Sequence, residues 1–203
     1  MSAPSHSKRV ANGQQGFTLI EALIAFVVLT VGVLGIISLL LMSKNALHQS
    51  NQRSIAVNLA DAMVERIRIN PTVVADYDTA GTPLGDGDLT APAQDCEATS
   101  CSAAQLAAYD LWVWDQELAG SNIVVDGENV GGLIAPQGCI TFTAENGLTS
   151  SGLLNVTIQW RGLAETVDAV PADGVACGGA DAGEDPYRRQ VTVNTVVVDE
   201  AEF

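Results

Sequence analysis

One carboxylate, Glu21, lies inside the apolar run "QQGFTLIEALIAFVVLTVGVLGI" (residues 14–36), and it is the only ionised side chain between Phe17 and Met42. A carboxylate carried to the centre of a bilayer costs about 2.5–3.5 kcal/mol on insertion scales, and such groups generally mark function. The residue must therefore pair, snorkel to the interface or take up a proton.

The other groups able to do chemistry follow Pro71. The four cysteines are Cys96, Cys101, Cys139 and Cys177. None forms a CxxC pair and no histidine lies near them, so a zinc site is not implied. Two disulfides in an oxidising compartment fit better. Four cysteines allow three pairings, of which sequence order suggests Cys96–Cys101 and Cys139–Cys177. The loop "GDGD" offers Asp86 and Asp88 to calcium, but it lacks the full register of an EF-hand loop and reads as a solvated turn. Neither a metal nor a cofactor is expected. His6 and His48 both precede Pro71 and no lysine follows it. The C-terminal part therefore has no imidazole for a Ser-His-Asp or Cys-His arrangement and no lysine base. Close Asp/Glu pairs of the glycosidase kind arise there by chance, because 21 carboxylates follow Pro71. An enzyme is not expected.

Charge divides the 203 residues unevenly. The formal net charge is −15, yet the charged residues before Phe17 are Lys8 and Arg9, and after Pro71 the only bases are Arg161, Arg188 and Arg189. An acidic balance of this kind disfavours nucleic acid and anionic lipid surfaces as ligands of the C-terminal part. It favours solubility.

These groups need elements to hold them. Phe17 to Met42 is long enough, at about 39 Å of helix, to cross a hydrocarbon core of roughly 30 Å. Gly32 and Gly35 weaken that helix by about 1 kcal/mol each relative to Ala. The basic residues in front of it put the N-terminus in the cytoplasm and the C-terminal part outside. The residues after it, "SKNALHQSNQ", contain no secretory cleavage site. From Ser43 the pattern becomes amphipathic, with Ala56, Leu59, Met63 and Ile67 at three- and four-residue steps. Asn70-Pro71 is a natural stop, so Phe17 to Asn70 reads as one helix about 80 Å long.

A second helix starts at the capping box Ser102 to Gln105 and puts Ala107, Leu111, Trp114 and Leu118 on one face. Trp114 and Trp160 read as core, and Trp112 falls off the apolar face. Three alternating segments follow: Ile140, Phe142 and Ala144; Leu154, Val156, Ile158 and Trp160; Val191, Val193, Thr195 and Val197. A weaker strand runs through "NIVVD". Asn-Gly at 146–147 supplies turn chemistry for an antiparallel sheet. Arg66 and Arg68 suit the helix dipole and local ion pairs. The Gly-Asp-rich pieces "GTPLGDGDLT" and "CGGADAGEDP" read as surface loops. The expected class is α+β, a lollipop whose sheet covers the apolar stripe of the long helix. It divides into residues 1–16, 17–42, 43–70 and an acidic head, 71–203.

"G-F-T-L-I-E" after a basic leader, followed by a long apolar helix and a C-terminal sheet, resembles the type IV pilin family. "EALIAFVVLTVGVLGI", "SIAVNLADAMVERIRINP", "DLWVWDQEL", "GCITF", "VTIQWRG" and "YRRQVTV" are similar to the minor pilin subgroup called type IV pilus modification protein, PilV. The loops 76–95 and 167–185 carry no part of that resemblance. It implies that residues 1–16 are a leader cut after Gly16 by prepilin peptidase, which also N-methylates Phe17. It further implies that Glu21 registers subunits by pairing with the α-amino group of a neighbour's Phe17. The implied partners are that peptidase, other major and minor pilins, and the assembly platform of the bacterial inner membrane. The implied location is that membrane, single-pass with a periplasmic C-terminus, and then the pilus, with roles in its biogenesis, adhesion or twitching motility. A minor pseudopilin of type II secretion shares the cleavage motif. A signal-anchored periplasmic binding protein or enzyme would keep its leader and would have no need of Glu21.

Overall fold

From Leu19 to Arg68 the chain forms one helix, α1, of 50 residues. The computed structural model describes residues 16–121, 123–129, 131–166, 177 and 185–203. The leader expected over 1–16 is thus described at Gly16 alone, and most of the loop expected over 167–185 also lies outside the described residues. The chain divides into two units, Met1–Lys44 and Asn45–Phe203.

In the first unit the apolar half of α1 exposes its side chains on every face, as expected for a helix whose solvent is lipid. The hydroxyls of Thr30 and Ser38 donate back to the carbonyls of Val27 (2.8 Å) and Leu34 (3.1 Å). Each thus satisfies itself without a partner from outside the helix. Phe17 and Thr18 precede the helix and Ile69 and Asn70 follow it, so it is slightly shorter at both ends than the Phe17–Asn70 expected.

In the second unit the rest of α1 packs through Gln52, Ala56, Ala60, Met63, Val64 and Ile67. The stripe is shifted from the one expected. Ala60 and Val64 are buried, whereas Leu59 sits at its margin and its carbonyl accepts a bond from Trp114 Nε1 at 3.3 Å. A 3-10 turn, Pro71–Tyr77, follows. Helix α2, Ala103–Ala119, starts on the expected capping box and ends on Gly120 in the left-handed region, φ 73°. Strands β1 (Val124–Val125) and β2 (Glu128–Asn129) form a two-residue ladder. The expected "NIVVD" strand is therefore present but minimal.

The main sheet is antiparallel, in order β3-β4-β5: Gln137–Ala144, Gly152–Arg161 and Arg188–Val197. Leu154, Val156, Ile158 and Trp160 of the central strand are all buried, with Ile140 beside them, against α1 and α2. Gly138 is where α2 meets the sheet. A Cβ there would lie 2.5 Å from Trp114 and 2.6 Å from Leu118, so no side chain larger than hydrogen lets both pack.

The β3–β4 connection differs from a two-residue Asn-Gly hairpin. Gly147 has φ 82°, but Asn146 is not in the left-handed region. The ladder ends at Ala144 and Gly152; Glu145 N–H still donates to the Ser151 carbonyl at 2.9 Å, and Asn146-Gly147 form the expected turn within this longer link, closed by Leu148 N–H on the Glu145 carbonyl. The other edge of β3 is covered: Leu84 and Gly138 exchange two backbone bonds, and Thr79 N–H donates to the Ile140 carbonyl. Covering an edge in this way blocks pairing with a foreign strand.

Candidate functional site

At the start of α1, Thr18 accepts from the backbone N–H of Glu21 at its carbonyl (3.1 Å) and at Oγ1 (3.4 Å). Leu19 being the first helical residue, Thr18 is the N-cap and Glu21 the third position within. This cap was missed in the sequence reading, although Thr-Leu-Ile-Glu is the Thr-x-x-Glu pattern of a capping box. A carboxylate in the first turn also faces the positive end of the helix dipole. Among the described residues the Glu21 carboxylate has no hydrogen-bond or ion-pair partner. Phe17, 84% exposed, lies just outside the helix, with Gly16 before it. The site thus runs from a glycine–phenylalanine peptide bond ahead of the helix, through the Thr18 cap, to the Glu21 carboxylate on an apolar helix.

The cysteines pair as Cys96–Cys101 and Cys139–Cys177, with Cα–Cα distances of 5.6 and 5.5 Å. The second spans 38 positions, for which chain entropy gives about 4 kcal/mol, against about 2 kcal/mol for the short loop.

Asp86 and Asp88 sit on an exposed loop, where Asp88 N–H donates to Asp86 Oδ1 at 3.4 Å. The loop is organised by a different carboxylate. Asp115 of α2, fully buried, accepts from the backbone N–H groups of Gly85 (2.6 Å), Gly87 (3.4 Å) and Leu89 (3.0 Å). The loop amides therefore wrap an anion that the chain itself provides. Among the described residues no three His, Cys, Asp or Glu side chains group as metal ligands would.

A second buried carboxylate joins the end of α1 to α2. Tyr77 donates to Asp110 Oδ2 at 2.7 Å and accepts from Asn70 Nδ2 at 3.1 Å. Burial raises Asp110 above the usual carboxylate range, partly countered by the Tyr77 bond and the nearby Arg66. It also raises Tyr77, so the phenol keeps the proton that it donates to Asp110. Arg66 binds Glu117 at 2.8 Å and Arg68 binds Glu65 at 2.7 Å, which are the ion pairs expected. Trp114 and Trp160 are core; Trp112 is half-buried and its ring lies 5.6 Å from that of Tyr109.

A long N-terminal apolar helix followed by a small antiparallel sheet is the α+β arrangement of a pilin. Residues 39–112 match the family model of the type IV pilin Tt1218, and residues 11–41 match that of the prokaryotic N-terminal methylation motif. Over those residues the chain is similar to type IV pilins, subunits that are generally structural rather than enzymatic. No curated protein and no solved structure matches the chain.

Proposed function

We propose that this chain is a minor type IV pilin of the PilV type, stored in the inner membrane and incorporated into a pilus or the complex that initiates one. The observation that carries the reading is Gly16-Phe17 set four residues before an unpaired Glu21 on a 50-residue helix. Prepilin peptidase cuts after Gly16 and N-methylates Phe17. The new α-amino group then meets Glu21 of an adjacent subunit. Two charges buried apart are each costly, and a matched pair offsets much of the penalty while favouring one axial register. The disulfide-braced acidic head stays outside the helical filament core. Partners are the peptidase, other major and minor pilins and the assembly platform. Similarity of "DLWVWDQEL" and "YRRQVTV" to PilV favours the pilus over a type II secretion pseudopilin.

Mass spectrometry of the N-terminus tests the processing. Membranes with an active peptidase are expected to yield N-methyl-Phe17 as first residue, and membranes without it the uncut chain. An uncut terminus in peptidase-competent cells would refute the reading.

A further inference from the structure

A groove of about 480 Å³ opens in the second unit where the stalk residues Ala46 to Arg53 pass the end of β4 and the start of β5. Arg53, Arg189, Gln49, Ser50 and Trp160 line it, and among the described residues no carboxylate does. That is unexpected in a chain with 24 acidic and 9 basic residues. Arg189 stands directly opposite Trp160 in the sheet, and a Cβ at Gly162 would lie 2.8 Å from its Nε, so the glycine leaves the guanidinium its room. Of its donors, one Nη reaches the Ala164 carbonyl at 3.2 Å, while Nε is buried and finds no partner among the described residues. Among the described residues Arg53 makes no ion pair or hydrogen bond. Arg161 and Arg188, the remaining bases of the head, flank the same strand ends.

Two underused guanidinium forks, with amide and hydroxyl groups between them, suit a tetrahedral oxyanion. Helix rise supplies the context. Ala46 and Gln49 come about 6 and 10 Å after Met42 along α1, just past an apolar segment long enough for the bilayer core. We propose that the groove is a phosphate site, occupied by the phosphodiester of a zwitterionic membrane phospholipid while the subunit waits for assembly. A zwitterionic headgroup offers the phosphate without setting a net negative surface against an acidic head. The inference goes beyond the filament role but rests on the membrane-stored state assumed there; N-terminal processing is read out separately, so the two can fail independently.

The test uses the full chain in a neutral detergent, with native mass spectrometry to count retained lipid. The probes are phosphatidylethanolamine, a diacylglycerol of the same acyl chains without phosphate, and inorganic phosphate followed by tryptophan fluorescence. Wild type is expected to retain one phosphatidylethanolamine and not the diacylglycerol, with inorganic phosphate competing. R53Q and R189Q should each weaken retention about tenfold, the loss expected from one charge-assisted contact. R53Q changes an exposed, unbonded side chain, so it keeps the test sound if R189Q disturbs the fold. Equal retention of both lipids, or retention unchanged in both variants, would overturn the proposal. Binding of inorganic phosphate without lipid retention would overturn the lipid as occupant.

Discussion

Glu21 shows how much one residue can be asked to do. Among the described residues its carboxylate has no partner, so Glu21→Ala removes a liability from the apolar helix and membrane insertion should be intact or improved. Assembly should nevertheless fail, because a neighbour's Phe17 amine would lose its partner, and breaking a buried pair from one side costs about 3–5 kcal/mol. That corresponds to more than about a hundredfold in an assembly equilibrium. Counting the subunit in sheared pili at matched membrane levels checks this; normal incorporation would mean that Glu21 does not set the register. A second carboxylate acts within the chain. Glu202 is held by Ser151 and by Thr149 and Ser150, whose backbone N–H groups donate at 2.6 and 2.9 Å, and these bonds lower it from 4.5 to about 2. Between those two values the unfolded chain binds the proton and the folded one does not. The clamp's stabilisation is therefore present above pH 4.5 and is lost as pH falls towards 2. In E202Q that increment should be missing at neutral pH, and its difference from wild type should shrink on acidification. A pH-independent difference in melting temperature would count against the clamp.

At the scale of elements, the features fixed by local chemistry were legible before any coordinates. Ser102 and Gln105 close a capping box that needs only four consecutive residues. Leu154 to Trp160 alternate apolar and polar in sequence, although Thr157 and Gln159 on the opposite face are buried as well. What stayed hidden depends on residues far apart in the chain. Gly138 looks like any strand glycine until Trp114 and Leu118 descend on it. Asn146-Gly147 makes the turn its chemistry suggests, but inside a longer link closed by Glu145 and Ser151. Ala60 gives a weak hydrophobic signal, yet it is fully buried in the core. Thr18 was legible and overlooked, its cap lying at the start of an apolar run read for hydropathy. Asp115 is the strongest case: on α2 it reads as a solvent-facing acid, and it is fully buried beneath the loop that it fastens. Asp115→Ala would leave the Gly85 and Leu89 amides without their acceptor. Each buried, unsatisfied donor costs about 1–3 kcal/mol, so a loss of several kcal/mol is expected. Thermal unfolding of the full chain in detergent measures that loss, and faster proteolysis between residues 85 and 89 would locate it. An unchanged melting temperature would show that water replaces the carboxylate without cost.

For the whole molecule, charge, hydropathy and the disulfides together carry the proposed topology. Lys8 and Arg9 precede the apolar helix, and 21 carboxylates with only three arginines follow Pro71. Positive residues next to a span are retained on the cytoplasmic side, whereas carboxylates weigh little in that choice. In the proposed orientation the acidic unit crosses, and it reaches the compartment where Cys96–Cys101 and Cys139–Cys177 can persist as disulfides. The opposite orientation would leave four thiols in a reducing cytosol and two cations outside. Protease added to spheroplasts should accordingly degrade everything beyond the stalk, while the N-terminal residues stay protected until the membrane is opened. A thiol reagent given to the same spheroplasts, with the head denatured but unreduced, should label none of the four cysteines. Reversing Lys8 and Arg9 to glutamate should lower the protease-accessible fraction, because the span would lose its retained flank. If that fraction is unchanged, some feature other than the leader's charge orients the chain. If the head is protected in intact spheroplasts, the periplasmic placement is wrong and the disulfide assignment loses its compartment.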